Sequence, residues 1–134
     1  MATKVIQNLI SRWRSRGDLG LRGEALAAKE LERKGYEIVE RRWRCRFGEI
    51  DIVARDGDTV VVVEVKSRAR SDHFSPVDAV DAPKQRKLIQ LAKAYAQSHA
   101  PDDVIRFDIV SVTAPPGKRP KIEHFTGAFE DRGF

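Results

Sequence analysis

The sequence has one cysteine, Cys45, so no disulfide can form within the chain, and a lone thiol among basic residues fits a reducing, cytosolic setting. No apolar run comes near the roughly 20 residues needed to cross a bilayer, so no membrane partner is expected. Residues 1–16 lack an uninterrupted apolar segment and a small-residue cleavage pattern, and no secretory signal is read there. There is no internal repeat and no long low-complexity stretch. Histidine is scarce: His73, His99 and His124 stand far apart without metal-ligand spacing, and loop or solvent-exposed roles are expected for them.

What is present fits a single domain. The 134 residues are 41% hydrophobic and 34% charged, enough patterned apolar material to exclude a wholly disordered chain. The net charge of +5 says little, but its distribution says more. Arg12, Arg14 and Arg16 cluster early; Arg41, Arg42, Arg44 and Arg46 crowd one segment; Arg68 and Arg70 follow Lys66; Lys84, Arg86 and Lys87 open a helix. One such cluster is as easily a solvated face, but four in a small domain suit a polyanion, because each phosphate neutralised releases counterions.

Periodicity predicts an amphipathic helix over 4–15, interrupted at Gly17, and a second from about Leu19 to Lys34, with Asp18 as N-cap and Gly35 as stop. Three strands follow, over 36–44, 47–54 and 59–67, the last two joined by a turn at Asp56-Gly57-Asp58. A loop spans 68–76. Pro83 sits in the first turn of a helix reaching Ser98, with Leu88, Leu91, Ala92 and Tyr95 on its apolar face. A fourth strand covers 104–113, a linker 114–120, and the tail from Lys121 to Phe134 carries enough apolar residues to pack back. Short turns argue for antiparallel pairing and the helical crossover permits a parallel pair. The expectation is an α/β domain with a mixed sheet flanked by helices, its core over about 18–113.

The chemistry sits on two strands. In 47–53, alternation puts Ile50 and Ile52 on one face, Glu49 and Asp51 on the other. In 60–66, Val61, Val63 and Val65 share a face opposite Val60, Val62, Glu64 and Lys66. So valine-rich a strand is buried on both sides, where a charge needs a partner or a metal. If the two strands pair, Asp51 meets Glu64. Two carboxylates that close repel, more so when buried, and a divalent cation resolves the repulsion. Mg²⁺ or Mn²⁺ takes oxygen ligands and keeps several waters, so two carboxylates and a phosphate oxygen suit it. Lys66 is then placed to orient water or offset charge in the transition state. The plain alternative is a Glu64–Lys66 ion pair on a sheet face. Glu24 adds a further acid, inside the stripe formed by Leu21, Ala25, Ala28 and Leu31, either paired with an arginine or reaching the same site.

Gly48-Glu49-Ile50-Asp51-Ile52-Val53-Ala54 followed by Val63-Glu64-Val65-Lys66-Ser67-Arg68 resembles the PD-(D/E)xK nuclease superfamily. With Arg22-Gly23-Glu24 before and Arg106-Phe107-Asp108 after, the chain resembles the small bacterial YraN-like family over residues 18–113. More distantly it is similar to archaeal Holliday junction resolvases, whose helical Glu, strand Asp and E-x-K map onto Glu24, Asp51, Glu64 and Lys66. The resemblance implies a restriction-endonuclease-like fold, αβββαβ in its core, with Mg²⁺ or Mn²⁺ in the site. Ile50, where the superfamily's name has proline, departs from the pattern.

Other residues divide between two roles. Glu49 is an outer-shell ligand or a partner for an arginine of the basic segment; Gln85 approaches the site, as in related nucleases, or caps its helix. Asp108 is read as a structural pair, with Arg106 or an arginine of the first helix. Trp13 and Trp43 stack on bases or pack in the core, packing being favoured. The expected function is metal-dependent hydrolysis of phosphodiesters in DNA, branched structures included, with Arg22, Arg42, Arg44, Arg46, Arg68, Arg70, Lys84 and Lys87 holding nucleic acid. The alternatives are a non-catalytic nucleic-acid-binding module and an RNA-directed nuclease. A homodimer is the arrangement expected if two strands are cut together.

Overall fold

The computed structural model describes residues 4–70 and 80–131, with side chains for 19–70 and 80–131. Arg12, Trp13, Arg14, Arg16 and His73 therefore lie outside what is described at side-chain level.

One helix, α1 (Lys4–Arg33), replaces the two expected. Gly17 does not break it and Asp18 lies within it, because a single glycine lowers helix stability by about 1 kcal/mol without stopping propagation. The end follows from local chemistry. Gly35 takes φ +91°, open at no steric cost to glycine, and the Tyr36 N–H donates to the Leu31 carbonyl at 3.0 Å while the Gly35 N–H donates to Glu32 at 2.9 Å. That is a Schellman stop, with Tyr36 and Leu31 joined in one apolar cluster. The buried stripe is Gly23, Glu24, Ala27, Ala28 and Leu31, and Leu21, expected on it, is exposed.

The strands β1 (Glu37–Cys45), β2 (Gly48–Asp56) and β3 (Thr59–Arg68) pair antiparallel in turn. Helix α2 (Ala82–His99) starts at Asp81, whose carboxylate accepts the Lys84 N–H, with Pro83 in the first turn. It returns the chain to β4 (Ile105–Thr113), which runs parallel to β3. The tail that was expected to pack back forms a strand, β5 (Lys121–Phe129), antiparallel to β4. The result is a five-stranded mixed sheet in the order β1-β2-β3-β4-β5. This α/β architecture is compatible with a restriction-endonuclease-like core, extended by one edge strand. Among the described residues, no helix is long and apolar enough to cross a membrane.

Each sheet face has its own core. Val61, Val63, Val110 and Val112 pack with Ala27, Ala28 and Leu31 of α1; Val60, Val62, Phe107 and Ile109 pack with Leu88, Leu91 and Tyr95 of α2. Trp43 lies edge-on to Tyr95 at 5.3 Å, so it packs. His99 is exposed and stacks on Tyr95 at 4.5 Å.

His124, expected in a loop or solvent, is instead a strand residue whose side chain is enclosed. Its Nε2 lies 2.7 Å from Asp108 Oδ2, in a side-chain pair that is almost wholly inaccessible. Asp108 also accepts from Arg106 at 2.9 and 3.0 Å and from the Gly127 N–H at 3.0 Å. Arg106 reaches on to Asp56 at 2.9 Å and the Tyr36 hydroxyl at 2.6 Å. Burial alone would raise the Asp108 carboxyl, but these donors outweigh it and hold it below the usual carboxylate range.

Candidate active site

Side-chain alternation along β2 fails at one place. Ile50 joins the cluster under α2, whereas Ile52 and Ala54 join the one under α1, so the expectation that Ile50 and Ile52 share a face is corrected. The phase slips at Asp51, between them. The β2–β3 ladder runs from Asp56↔Thr59 to Ile52↔Val63 and goes no further. Beyond it the Val65 N–H donates to Asp51 Oδ2 at 2.8 Å. A carboxylate oxygen thus takes the position a ladder carbonyl would have filled, which keeps the buried amide satisfied and lets the two strands part.

The strand on the other side is bent to match. Arg42, which the register sets across from Asp51, has φ +54°, a left-handed conformation costing about 1 kcal/mol or more for a non-glycine residue. Neighbours in a regular strand point to opposite faces. Here Arg41 and Arg42 both reach Glu24 Oε1 at 3.2 Å, and Arg42 also reaches Oε2 at 3.3 Å. Glu24 is therefore arginine-paired, and it also lines the same groove as Asp51.

That groove, of about 780 Å³, gathers Glu24, Arg42, Arg44, Glu49, Asp51 and Lys66, with Val65, Ser67 and residues 19–21. Glu64, 7% exposed, lies beside it. Lys66 Nζ is 3.7 Å from Glu64 Oε1, and Lys84 Nζ, from α2, is 3.6 Å from the same oxygen. Lys84, expected on a phosphate-binding face, thus points to an acid of the site. Gln85 is not among the residues that line the groove, and its amide donates to the Val80 carbonyl at 3.0 Å, a capping role at the start of α2. Glu49 is held by Arg44 at 2.8 Å while lining the groove. Arg22 and Arg70 are exposed, and Arg68 is half-buried at the end of β3.

Burial pushes the Asp51 carboxyl up to about 7, and the nearby charge of Glu64 adds to the effect. The Val65 N–H opposes it; Glu24 raises it further and Lys84 lowers it. At neutral pH the folded chain thus keeps an acid that half prefers to be protonated, a condition common at functional sites.

Whether a divalent cation fits can be judged from the donors. Asp51 and Glu64 supply oxygen only, as Mg²⁺ and Mn²⁺ prefer, and a cation between them would relieve the repulsion felt by Asp51. Among the described residues no three His, Cys, Asp or Glu side chains converge as a ready-made ligand set. The pair fits a hard cation that keeps much of its water, not a closed structural metal.

The approach of α1 depends on a residue passed over in the sequence except as part of a motif. A Cβ on Gly23 would overlap the Ser67 hydroxyl and lie 2.9 Å from Ser67 Cβ. Glycine therefore lets the helix carry Glu24 down onto the end of β3. Gly23→Ala is expected to lower stability by about 1–3 kcal/mol through overpacking, and adding Ser67→Gly to restore most of it. Urea unfolding of the single and double variants measures both; equal stability of Gly23→Ala and the unmodified chain would remove the close-approach argument.

With this geometry in place, comparison with known proteins is decisive at the level of family. A family model for the uncharacterised protein family UPF0102 matches residues 23–112, the stretch from Gly23 through β4. The chain belongs to UPF0102. A UPF0102 protein of Nocardia farcinica is 43% identical over 122 residues, covering 90% of this chain and 96% of the relative. One from Geobacter sulfurreducens is 49% identical over 113 residues, covering 84% and 88%, and one from Streptomyces coelicolor is 46% identical over 116 residues, covering 84% and 89%. The YraN-like membership expected from the motifs holds, and every part of the groove from Gly23 onward lies inside the UPF0102 match.

Proposed function

We propose that this UPF0102 chain is a metal-dependent phosphodiesterase that cuts nucleic acid, with DNA the first candidate and RNA the second. One observation carries the reading: a carboxylate, Asp51, is half-buried near the buried Glu64 at a break in the β2–β3 ladder, on an open groove rimmed by arginines. A structural acid would be paired, as Asp108 is. Asp51 accepts one backbone amide, and the acids near it, Glu64 and Glu24, outweigh the one nearby cation, Lys84.

In this reading Asp51 and Glu64 hold Mg²⁺ or Mn²⁺, which supplies Lewis-acid activation of water and charge neutralisation at the phosphate. The chain's own groups do the rest. Arg42 and Arg44 position the backbone of the substrate in the groove. Lys66, one strand step from Glu64 and lining the groove, stabilises the charge that builds on the phosphate or orients the attacking water.

The test is cleavage of a mixed panel of linear and branched DNA and RNA with Mn²⁺, by the unmodified chain and by Lys66→Met. Metal-dependent cleavage is expected, with the variant slower by about 10²–10³-fold and its Mn²⁺ affinity undiminished. Cleavage unaffected by Lys66→Met would remove its catalytic role. One observation favours the alternative, a binding module without turnover: Glu24 is occupied by two arginines, and two acids remain for the metal. Nucleic-acid binding indifferent to Mn²⁺, with no cleavage across the panel, would select it.

A further inference from the structure

The β1–β2 turn stands between two grooves. On one side Arg44 and Glu49 line the candidate active site. On the other, Arg46 and Phe47 face α2 across a second groove of about 720 Å³, also lined by Arg86, Lys87 and Lys93. The two differ in charge balance. In the first, basic groups meet acids: Arg41 and Arg42 on Glu24, Arg44 on Glu49, Lys66 and Lys84 on Glu64. No carboxylate is among the described residues lining the second, and Lys93 is paired with Asp131 at 3.4 Å.

The local geometry keeps that charge directed at the groove. The Arg46 guanidinium lies over the Phe47 ring, 4.8 Å from its centroid, which fixes its position without neutralising it. Gly48 gives Lys87 its path: a Cβ there would stand 3.3 Å from Lys87 Cε. Lys84 and Lys87 are neighbours on α2, three residues apart, one turned to Glu64 and the other to the turn. Cations therefore lead from the acids of the site, along α2, into the second groove.

We propose that this groove is a second backbone-binding track, holding the sugar-phosphate backbone of duplex DNA beyond the segment seated at Asp51. The proposal rests on the nuclease reading and adds where the rest of the substrate lies. A concavity whose described lining carries Arg46 and Lys87 and no carboxylate attracts a polyanion by counterion release. Its Lys87 stands one helical turn from Lys84, the partner of Glu64, which favours the same nucleic acid over a separate acidic partner.

The test is binding without divalent metal, so that nothing is cut, using Arg46→Gln/Lys87→Gln against the unmodified chain. On a duplex of roughly 30 base pairs, affinity should fall about 10-fold and the slope of log affinity against log salt should shrink by about two. On a duplex of roughly 8 base pairs, which the first groove alone can hold, the loss should stay under about threefold. Mn²⁺ binding by the DNA-free variant should match that of the unmodified chain. Equal affinity and slope for both proteins on the long duplex would overturn the track while leaving the nuclease reading intact. Equal losses on long and short duplexes would place Arg46 and Lys87 with the first groove and overturn it too. Failure of the unmodified chain to bind any DNA would overturn the reading and the track together.

Discussion

Asp51→Asn is expected to abolish metal-dependent cleavage and at the same time to make the metal-free protein more stable. The loss of activity follows from removing one of two acids that hold the cation, and should reach about 10³-fold or more, equivalent to roughly 4 kcal/mol of barrier. The gain in stability follows from the cost of Asp51 in the fold. Its carboxyl rises from an ordinary value of 3.8 to about 7, so the folded chain holds the proton more tightly than the unfolded one. The contribution of such a group is favourable below the unfolded value and is lost as pH rises towards and through 7. By pH 8 the ionised form costs on the order of 4 kcal/mol at most, since each unit corresponds to about 1.4 kcal/mol. Asparagine is never ionised, and it retains an oxygen for the Val65 N–H.

The predicted pattern is thus a stability difference between Asp51→Asn and the unmodified chain that is small near pH 4 and grows to about 2–4 kcal/mol in favour of the variant by pH 8. Saturating Mn²⁺ should erase it, because the cation stabilises only the chain that has the acid. Urea unfolding at several pH values, with and without Mn²⁺, reads all of this. A variant that is less stable than the parent at pH 8 without metal would mean that Asp51 is a structural acid. The same shift predicts that Mn²⁺ binding weakens as pH falls below 7, where the cation must displace a proton from Asp51.

Asp108→Ala should do the reverse: little to the chemistry and much to the fold. This carboxylate is 1% exposed and takes hydrogen bonds from Arg106, His124 and the Gly127 amide. Removing it leaves a guanidinium, an imidazole and a backbone N–H facing an apolar gap. Breaking a buried pair from one side costs about 3–5 kcal/mol, because the remaining partners lose their compensation. The damage should concentrate at the outer strand, since Asp108 holds β4 to β5 and, through Arg106, to Asp56 and Tyr36. Since the carboxyl sits below its ordinary range, its contribution is complete above the unfolded value and fades as pH falls through the lowered one. Denaturant midpoints would show the loss, and amide exchange would localise it to β5. If Asp108→Ala unfolds within about 1 kcal/mol of the parent, the network adds little beyond packing. Retained Mn²⁺ binding by the folded fraction would separate this scaffold from the site.

The two acids illustrate what local pattern can and cannot reveal. Alternation located β2 and β3 and set Val61 and Val63 against Val60 and Val62, because side-chain direction in a strand depends only on position along it. The same logic brought Asp51, Glu64 and Lys66 together, since antiparallel neighbours joined by a short turn have their register decided by that turn. It failed at Ile50, where the strands part so that Asp51 can take the Val65 N–H. A slip that depends on a side chain bonding the neighbouring strand leaves no trace in periodicity.

Contacts distant in sequence were less legible for the same reason. The apolar residues of 121–134 announced packing but not a fifth strand, because β-pairing is a property of two segments and β4 had to be in place first. His124 looked like a loop histidine until β5 carried it to Asp108, sixteen residues back. Lys84 and Gln85 are adjacent, and only the angle at which α2 crosses the sheet sends the lysine to Glu64 and the amide to Val80. By itself the sequence determined the order of elements from β1 to β4, the two-sided burial of β3 and the acid-and-lysine set, all of which follow from spacing along the chain. Within one strand the pairs Arg106–Asp108 and Lys66–Glu64 were legible; tertiary structure alone decided the pairs between segments, Lys84 with Glu64 and Arg41 and Arg42 with Glu24, because these depend on how closely helices such as α1 can approach, and that closeness turns on Gly23 against Ser67.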